Sequence, residues 1–188
     1  MTYGSKALSS DAFAISAYIS QTVPADKLFM RTDTQIDMSA LTDKDVVVSV
    51  GGPAVNEITA AFEPIAPVHM VLGDNITIVT PGGNLTWTPP NPWYNVTEGY
   101  FIIQLFEDNE TGALVFTIYG TDADSTLAGA YYFANTIYPN LEDYAEVSWI
   151  VGEWTDTDAG TSVILLPGAP ADDSGFNPAD SIAIVYQG

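Results

Sequence analysis

Carboxylate side chains are the groups in this chain that could do the most chemistry. The sequence has 24 acidic residues against four basic ones, which gives a net charge of −20. Asp156 and Asp158 alternate before Gly160, a pattern typical of short loops that bind Ca²⁺ through carboxylate and carbonyl oxygens. Solvated turns account for the same residues, so both interpretations stay open. We expect no organic cofactor, and Ca²⁺ is the candidate ion.

Catalytic side chains are few. His69 is the only histidine and the chain has no cysteine, so thiol nucleophiles and thiolate metal sites are excluded. A lone histidine is more often structural than catalytic, and no G-x-S-x-G nucleophile elbow occurs. We expect that the protein is not an enzyme. A sugar-acting enzyme remains the third hypothesis, because paired carboxylates can hydrolyse glycosides and tryptophans can stack on sugars. The tryptophans are Trp87, Trp93, Trp149 and Trp154.

The distribution of charge limits the partners. All four basic residues lie within the first 44 positions: Lys6, Lys27, Arg31 and Lys44. Nucleic acid binding needs Lys and Arg side chains that displace counterions from phosphates. An anionic membrane surface would repel an acidic protein for the same reason. We therefore exclude nucleic acid and anionic membrane surfaces as partners.

Four N-glycosylation sequons follow one another between residues 75 and 111. Their asparagines are Asn75, Asn84, Asn95 and Asn109. Chance gives one or two such triplets in a chain rich in Thr and Asn, but four in a turn-rich stretch favour surface glycosylation. The sequons predict an extracellular protein at the cell surface.

Two glycine turns stand between a predicted strand and a predicted helix. Val46–Val50 is a β-branched run that indicates a buried strand, and an apolar segment up to Phe62 continues beyond the turn as a helix. Residues 113–119 and the helix that starts near residue 125 repeat this order. The residues that mark the two turns are Gly51, Gly52, Pro53 and Asn56 in the first, and Gly120, Asp122 and Asp124 in the second.

The first glycine turn has two possible roles. A turn at a helix N-terminus attracts anions such as phosphate. The dinucleotide fingerprint is incomplete, however, because Asn56 stands where a close-packing glycine is expected. We favour a structural turn in which Asn56 bonds to the neighbouring backbone.

These elements predict an α/β fold with a mostly parallel central sheet, packed helices and a β-rich insertion. The chain is expected to form a single module, 1–188, with the insertion at about 69–106. Trp93 and Tyr94 lie among prolines within that insertion. Exposed aromatic residues on a rigid loop suit a contact between subunits, so we predict an assembly contact there.

The first turn carries a family resemblance. Val50-Gly-Gly-Pro-Ala-Val-Asn56 resembles the V-G-G-P-x-x-N segment of archaeal S-layer proteins, and 115–130 is similar to their second strand–glycine–helix motif. The resemblance implies a structural, self-assembling subunit of an S-layer, a sheath or an extracellular filament. Its partners would be copies of itself. The alternative hypothesis is a module that binds polysaccharide or cell wall, with surface glycans as the partner.

Overall fold

The computed structural model describes residues 1–6, 8–24, 26, 30–91, 96–157 and 175–188. Within these ranges the α-helices are α1 (Leu8–Ala17), α2 (Glu57–Phe62) and α3 (Ala123–Tyr132). The strands are β1 (Thr2–Tyr3), β2 (Arg31–Thr32), β3 (Val46–Val50), β4 (His69–Val71), β5 (Ile76–Thr80), β6 (Gly83–Trp87), β7 (Glu98–Glu107), β8 (Leu114–Gly120), β9 (Trp149–Thr155) and β10 (Ser181–Gln187).

The central sheet is mixed. Its seven strands lie in the order β10-β9-β7-β8-β3-β1-β2. The pairs β1–β2, β1–β3 and β3–β8 are parallel, whereas β7–β8, β7–β9 and β9–β10 are antiparallel. The predicted α/β fold with packed helices is confirmed, but the prediction of a mostly parallel sheet is wrong. A short turn joins β7 to β8, and a strand that returns directly can only pair antiparallel.

The region predicted as a β-rich insertion is divided between two sheets. β4, β5 and β6 form a separate antiparallel sheet. β7 instead lies inside the central sheet, between β8 and β9. Phe101–Gln104 is buried on both faces of that sheet, which explains the continuous apolar run of this strand. The insertion proper is therefore the small sheet.

Alternate residues of the central strands face two different layers. Val50 and Ile118 pack under α1 and α3 on one face. Val47 and Val115 pack against α2 on the other face. The small sheet covers the rest of this second face, where Ile78 belongs to a cluster with residues of β7, β8 and β9. The alternation follows from the two-residue period of a strand.

Both helices after the glycine turns begin at a different residue from the one predicted. α2 begins at Glu57, because the N–H groups of Val55 and Asn56 both bond to the carbonyl oxygen of Gly52 and form a turn that contains Pro53. Asp122 caps α3, which begins at Ala123 and not near residue 125 as predicted. The sequence also predicts strands at 145–151 and 162–166. The first overlaps β9 only at residues 149–151, and the second lies outside the described residues.

Two buried threonines provide a matched test of hydrogen bonding in the core. Thr117 Oγ1 is buried and has no hydrogen-bond partner among the described residues, whereas Thr59 Oγ1 contacts Ser49 Oγ at 2.8 Å and donates to the Gly51 carbonyl at 2.8 Å. We expect Thr117→Val to raise the free energy of unfolding by about 1 kcal/mol, because an unsatisfied hydroxyl is removed from the core. Thr59→Val should lower it by about 1–3 kcal/mol. Urea unfolding measures both, and equal losses in the two variants would contradict the account.

Candidate functional site

The two glycine turns meet at one edge of the central sheet. β3 and β8 are adjacent and parallel, and Gly51 N–H donates to the Ile118 carbonyl at 3.0 Å. A crevice of about 200 Å³ lies between the turns, and Gly52, Gly120 and Asp122 contribute to its lining. Ligands of open α/β sheets bind outside the carboxyl ends of the strands. This crevice is therefore the candidate site that the fold provides.

A buried carboxyl group fills the space beside the first turn. Asp11 lies on α1, is 2% exposed and accepts hydrogen bonds from Gly4 N–H (3.3 Å) and Ser10 Oγ (3.2 Å). Gly51 has a φ of 105°, and a Cβ atom at this position would collide with the Asp11 carboxyl. The close approach and the positive φ together require glycine at position 51.

The start of α2 is occupied by side chains of the protein itself. Asn56 Oδ1 accepts from the N–H groups of Ile58 (3.0 Å) and Thr59 (3.3 Å), and its Nδ2 donates to the Val50 carbonyl at 2.8 Å. Asp33 accepts from Glu57 N–H at 2.9 Å. The N–H groups that would hold a phosphate are thus bonded internally, as the interpretation of Asn56 as a structural residue requires.

Asp33 also ties this turn to the first strand. Its carboxylate accepts from the N–H groups of Ser5 at 3.0 Å and Thr34 at 2.9 Å. Burial alone would raise the pKa of Asp33, but these donors and Glu57 N–H together hold the pKa below its ordinary value. One ionised side chain therefore connects the loop after β1, the turn after β2 and the start of α2.

At the second turn, too, a side chain of the protein accepts hydrogen bonds at the start of the following helix. Asp122 accepts from Ser125 N–H at 2.8 Å and from Ser125 Oγ at 3.0 Å. Burial of its carboxyl group raises the pKa of Asp122 to about 6. Asp124 accepts from Phe176 N–H at 2.9 Å, which fastens the chain before β10 to α3. Both acidic residues predicted at this turn are thus hydrogen-bonded within the structure.

Sequence reasoning missed the contributions of Asp11 and Asp33. In the sequence, Asp11 stands at the start of a helical pattern, where an acidic residue is typical of a helix cap, and Asp33 lies in a polar stretch without periodicity. Neither residue is near the glycine turn in sequence, so spacing carries no signal for their approach. A buried acid opposite a glycine becomes visible only once α1 and β3 are packed.

The other predicted site residues are scattered over the molecule. Asn75, Asn84 and Asn109 are exposed, and their glycosylation stays a prediction. Asp156 N–H donates to the Thr97 carbonyl at 2.8 Å. Among the described residues, no group of three or more His, Asp or Glu side chains is arranged to hold a metal ion. The predicted sites outside the described ranges are Trp93, Tyr94, Asn95 and Asp158.

The three tryptophans that the structure describes do not present an exposed surface for sugars. Trp87, Trp149 and Trp154 are all buried. Trp87 Nε1 donates to the Glu98 carbonyl at 3.0 Å, and Trp154 Nε1 donates to Ser125 Oγ at 2.9 Å. These three side chains belong to the core, and their burial weighs against the hypothesis in which they stack on a sugar.

A larger concave surface lies toward the opposite end of β3. This apolar groove has a volume of about 360 Å³, and Val46, Val48 and Phe116 contribute to its floor. The segment after α3 forms a wall with residues that include Tyr138 and Leu141. The lining residues that the structure describes include no Asp, Glu, Lys or Arg side chain. In a protein with a net charge of −20, this surface is distinctive.

Asp11 is expected to make stability depend on pH. Burial raises the pKa of its carboxyl from the ordinary 3.8 to about 7. The folded state therefore binds a proton more tightly than the unfolded state, so the free energy of unfolding falls as pH rises between these two values. Relative to the wild type, Asp11→Asn should gain about 3 kcal/mol between about pH 5 and about pH 8, because the slope is roughly 1.4 kcal/mol per pH unit up to about pH 7 and levels off above it.

Urea unfolding of both proteins at the two pH values measures this gain. Asp43→Asn is the control, because it removes an exposed carboxylate from the loop before β3. A difference between wild type and Asp11→Asn that stays constant with pH would contradict the burial of a protonatable group beside Gly51.

Comparison of the chain with family models, with curated proteins and with solved structures returned no match. None of the helices in the described part of the chain has the length and hydropathy needed to cross a membrane. The two turns, the crevice and the apolar groove are therefore the features from which a function can be inferred.

Proposed function

We propose that this protein is a structural subunit of a cell surface that assembles with its own copies. The observation that carries the proposal is the occupation of both glycine turns by internal side chains. Asn56, Asp33 and Asp122 bond to the N–H groups at the two helix starts. The turns thus serve as joints between strands and helices, which is the role that the resemblance to archaeal S-layer proteins implies.

The apolar groove supports assembly as the activity of such a subunit. Strongly acidic proteins repel one another, so copies meet most easily where the surface lacks like charge. The groove is such a place, because its floor and wall are built from aliphatic and aromatic side chains. Aromatic-rich apolar surfaces are typical of the centres of protein interfaces.

Calcium and glycans fit the same function. The exposed carboxylates leave a large negative charge that divalent cations would neutralise between neighbouring copies. Asn84 is exposed on β6 and does not line the groove, so a glycan there would leave the groove free. We expect an extracellular S-layer, sheath or filament in which such glycans face outward.

One observation favours a second candidate function. Asp11 and Asp122 both line the crevice, and the pKa of each is raised by burial. Carboxyl groups whose pKa values lie near neutrality can donate and accept protons in catalysis. The structural hydrogen bonds of both groups weigh against this role, and acid–base chemistry on a sugar ranks below assembly. Binding of polysaccharide remains the alternative without catalysis.

Assembly is tested on the wild-type protein at increasing concentration. We expect sedimentation velocity and negative-stain electron microscopy to detect polymers that grow with concentration. Ca²⁺ should promote them and a chelator should reverse them, because the repelling carboxylates are then neutralised or exposed again. A protein that stays monomeric under all these conditions would rule the proposal out.

The same preparation separates the alternatives. A polysaccharide-binding module would change its intrinsic tryptophan fluorescence on addition of glycan while remaining monomeric. An enzyme would release sugar products, and Asp11→Asn or Asp122→Asn would abolish their release. A structural subunit predicts polymers from the wild-type chain and no product.

A further inference from the structure

An exposed hairpin tip projects from the small sheet. β4 and β5 are antiparallel neighbours, and Val71 at the end of β4 and every residue of the turn 72–75 are exposed. Val71 is 53% exposed and Leu72 is 48% exposed, so two adjacent large aliphatic side chains face solvent at this tip. Asp74 follows two residues later and places a negative charge beside this apolar tip.

The tip lies at the same end of the molecule as the glycine turns. Leu72 lines the crevice together with Gly52 and Gly120, which follow the carboxyl ends of β3 and β8. The apolar groove is lined by Val46, the first residue of β3. The tip and the groove therefore lie toward opposite ends of the same strand.

The two rims of the groove carry opposite charges. Met1 lines the groove, and its carbonyl accepts from Arg31 N–H at 3.0 Å. Arg31 is exposed on β2. On the other rim, Leu141 is followed by the exposed Glu142 and Asp143. Charge complementarity favours one orientation for an acidic apolar tip in this groove, with the Asp74 carboxylate toward Arg31 and away from Glu142 and Asp143.

We propose that copies of this chain join head to tail, with Val71 and Leu72 of one copy seated in the apolar groove of the next. The inference rests on the proposed function and specifies the contact that makes the polymer. Each copy presents the tip at one end and the groove at the other, so the contact is heterologous. Such a contact produces a growing chain or a ring, and it never closes as a two-fold dimer.

A glycan on Asn75 would compete with this contact. Asn75 is the last residue of the exposed turn and lies three positions after Leu72. The experiments below therefore use protein produced without glycosylation. In assembled material, we expect mass spectrometry of peptides to find Asn75 unmodified even where Asn84 and Asn109 carry glycans.

Two substitutions separate the two surfaces. Leu72→Asp places a charge in the tip, and Leu141→Asp places one in the groove, where Leu141 is 53% exposed. Each variant alone should raise the concentration at which polymers form by about tenfold or more, because a charge would have to be buried in an apolar contact. Ile65→Asp is the matched control, since Ile65 is 46% exposed and lines neither the groove nor the crevice.

A mixture of the two variants gives the decisive result. The Leu72→Asp protein retains an intact groove, and the Leu141→Asp protein retains an intact tip. Mixed in equal amounts, they should form a one-to-one dimer that grows no further. Sedimentation velocity detects this dimer, and circular dichroism verifies that each variant is folded. If an aspartate variant is unfolded, Leu72→Ser and Leu141→Ser replace the pair.

Several outcomes would overturn the head-to-tail contact. Either variant could polymerise as readily as the wild type and Ile65→Asp, or the mixture could stay monomeric. In both cases wild-type polymers would leave the proposed function standing while this contact is rejected. A wild-type protein that never assembles would reject both proposals together.

Discussion

The close approach of Asp11 to the backbone of Gly51 is the constraint on which the layered structure depends. It brings the first turn of α1 against the carboxyl end of β3, and only a residue without Cβ allows it. Asp33 then joins the loop after β1 to the start of α2 through three backbone donors. At the carboxyl ends of the parallel strands, these contacts hold together the loop after β1, the turn after β2 and the start of α2. These segments have little regular structure of their own.

This arrangement shows how an acidic chain with few cations uses its carboxylates. Asp33, Asp122 and Asp124 accept hydrogen bonds from backbone N–H groups, and in this way they cap helices and fasten loops. Hydrogen bonds from several N–H groups stabilise an ionised carboxylate without a cationic partner. Asp11 accepts from a single backbone N–H, so burial dominates and raises the pKa of its carboxyl to about 7, where the protonated and ionised forms coexist at neutral pH. The balance between donors and burial thus decides which acids remain charged.

Local sequence patterns predicted the elements around the two turns but not their assembly. The β-branched run of β3 and the strand–glycine–helix order are local signals, and the structure contains both units side by side. Strand direction in the rest of the sheet depends on which strands pair, which no single strand encodes. The roles of Asp11 and Asp33 depend on contacts between distant segments. The burial of Trp87 and Trp154 likewise follows from packing that composition does not reveal.

The attachment of the small sheet links the tip to the body of the molecule. Gln104 on β7 bonds to both the N–H (3.1 Å) and the carbonyl (3.0 Å) of Val68, just before β4. Glu63 accepts from Met70 N–H at 2.9 Å and from the Tyr119 hydroxyl at 2.5 Å. Burial, together with the neighbouring Glu63 charge, raises the pKa of Tyr119 well above its ordinary value, so the phenol remains a donor.

These buried polar contacts connect the small sheet mechanically to the central sheet. A load on Leu72 in a head-to-tail polymer would pass through β4 to Val68 and Met70 and then to the middle of the central sheet. β7 and β8 lie at the centre of that sheet, where each pairs with a strand on both sides. Hydrogen bonds that are fully satisfied and buried resist separation better than an apolar contact alone, because breaking them leaves unpaired polar groups in the core. A small sheet that is hydrogen-bonded to the central sheet in this way can form an intersubunit contact and remain packed on the central sheet under load.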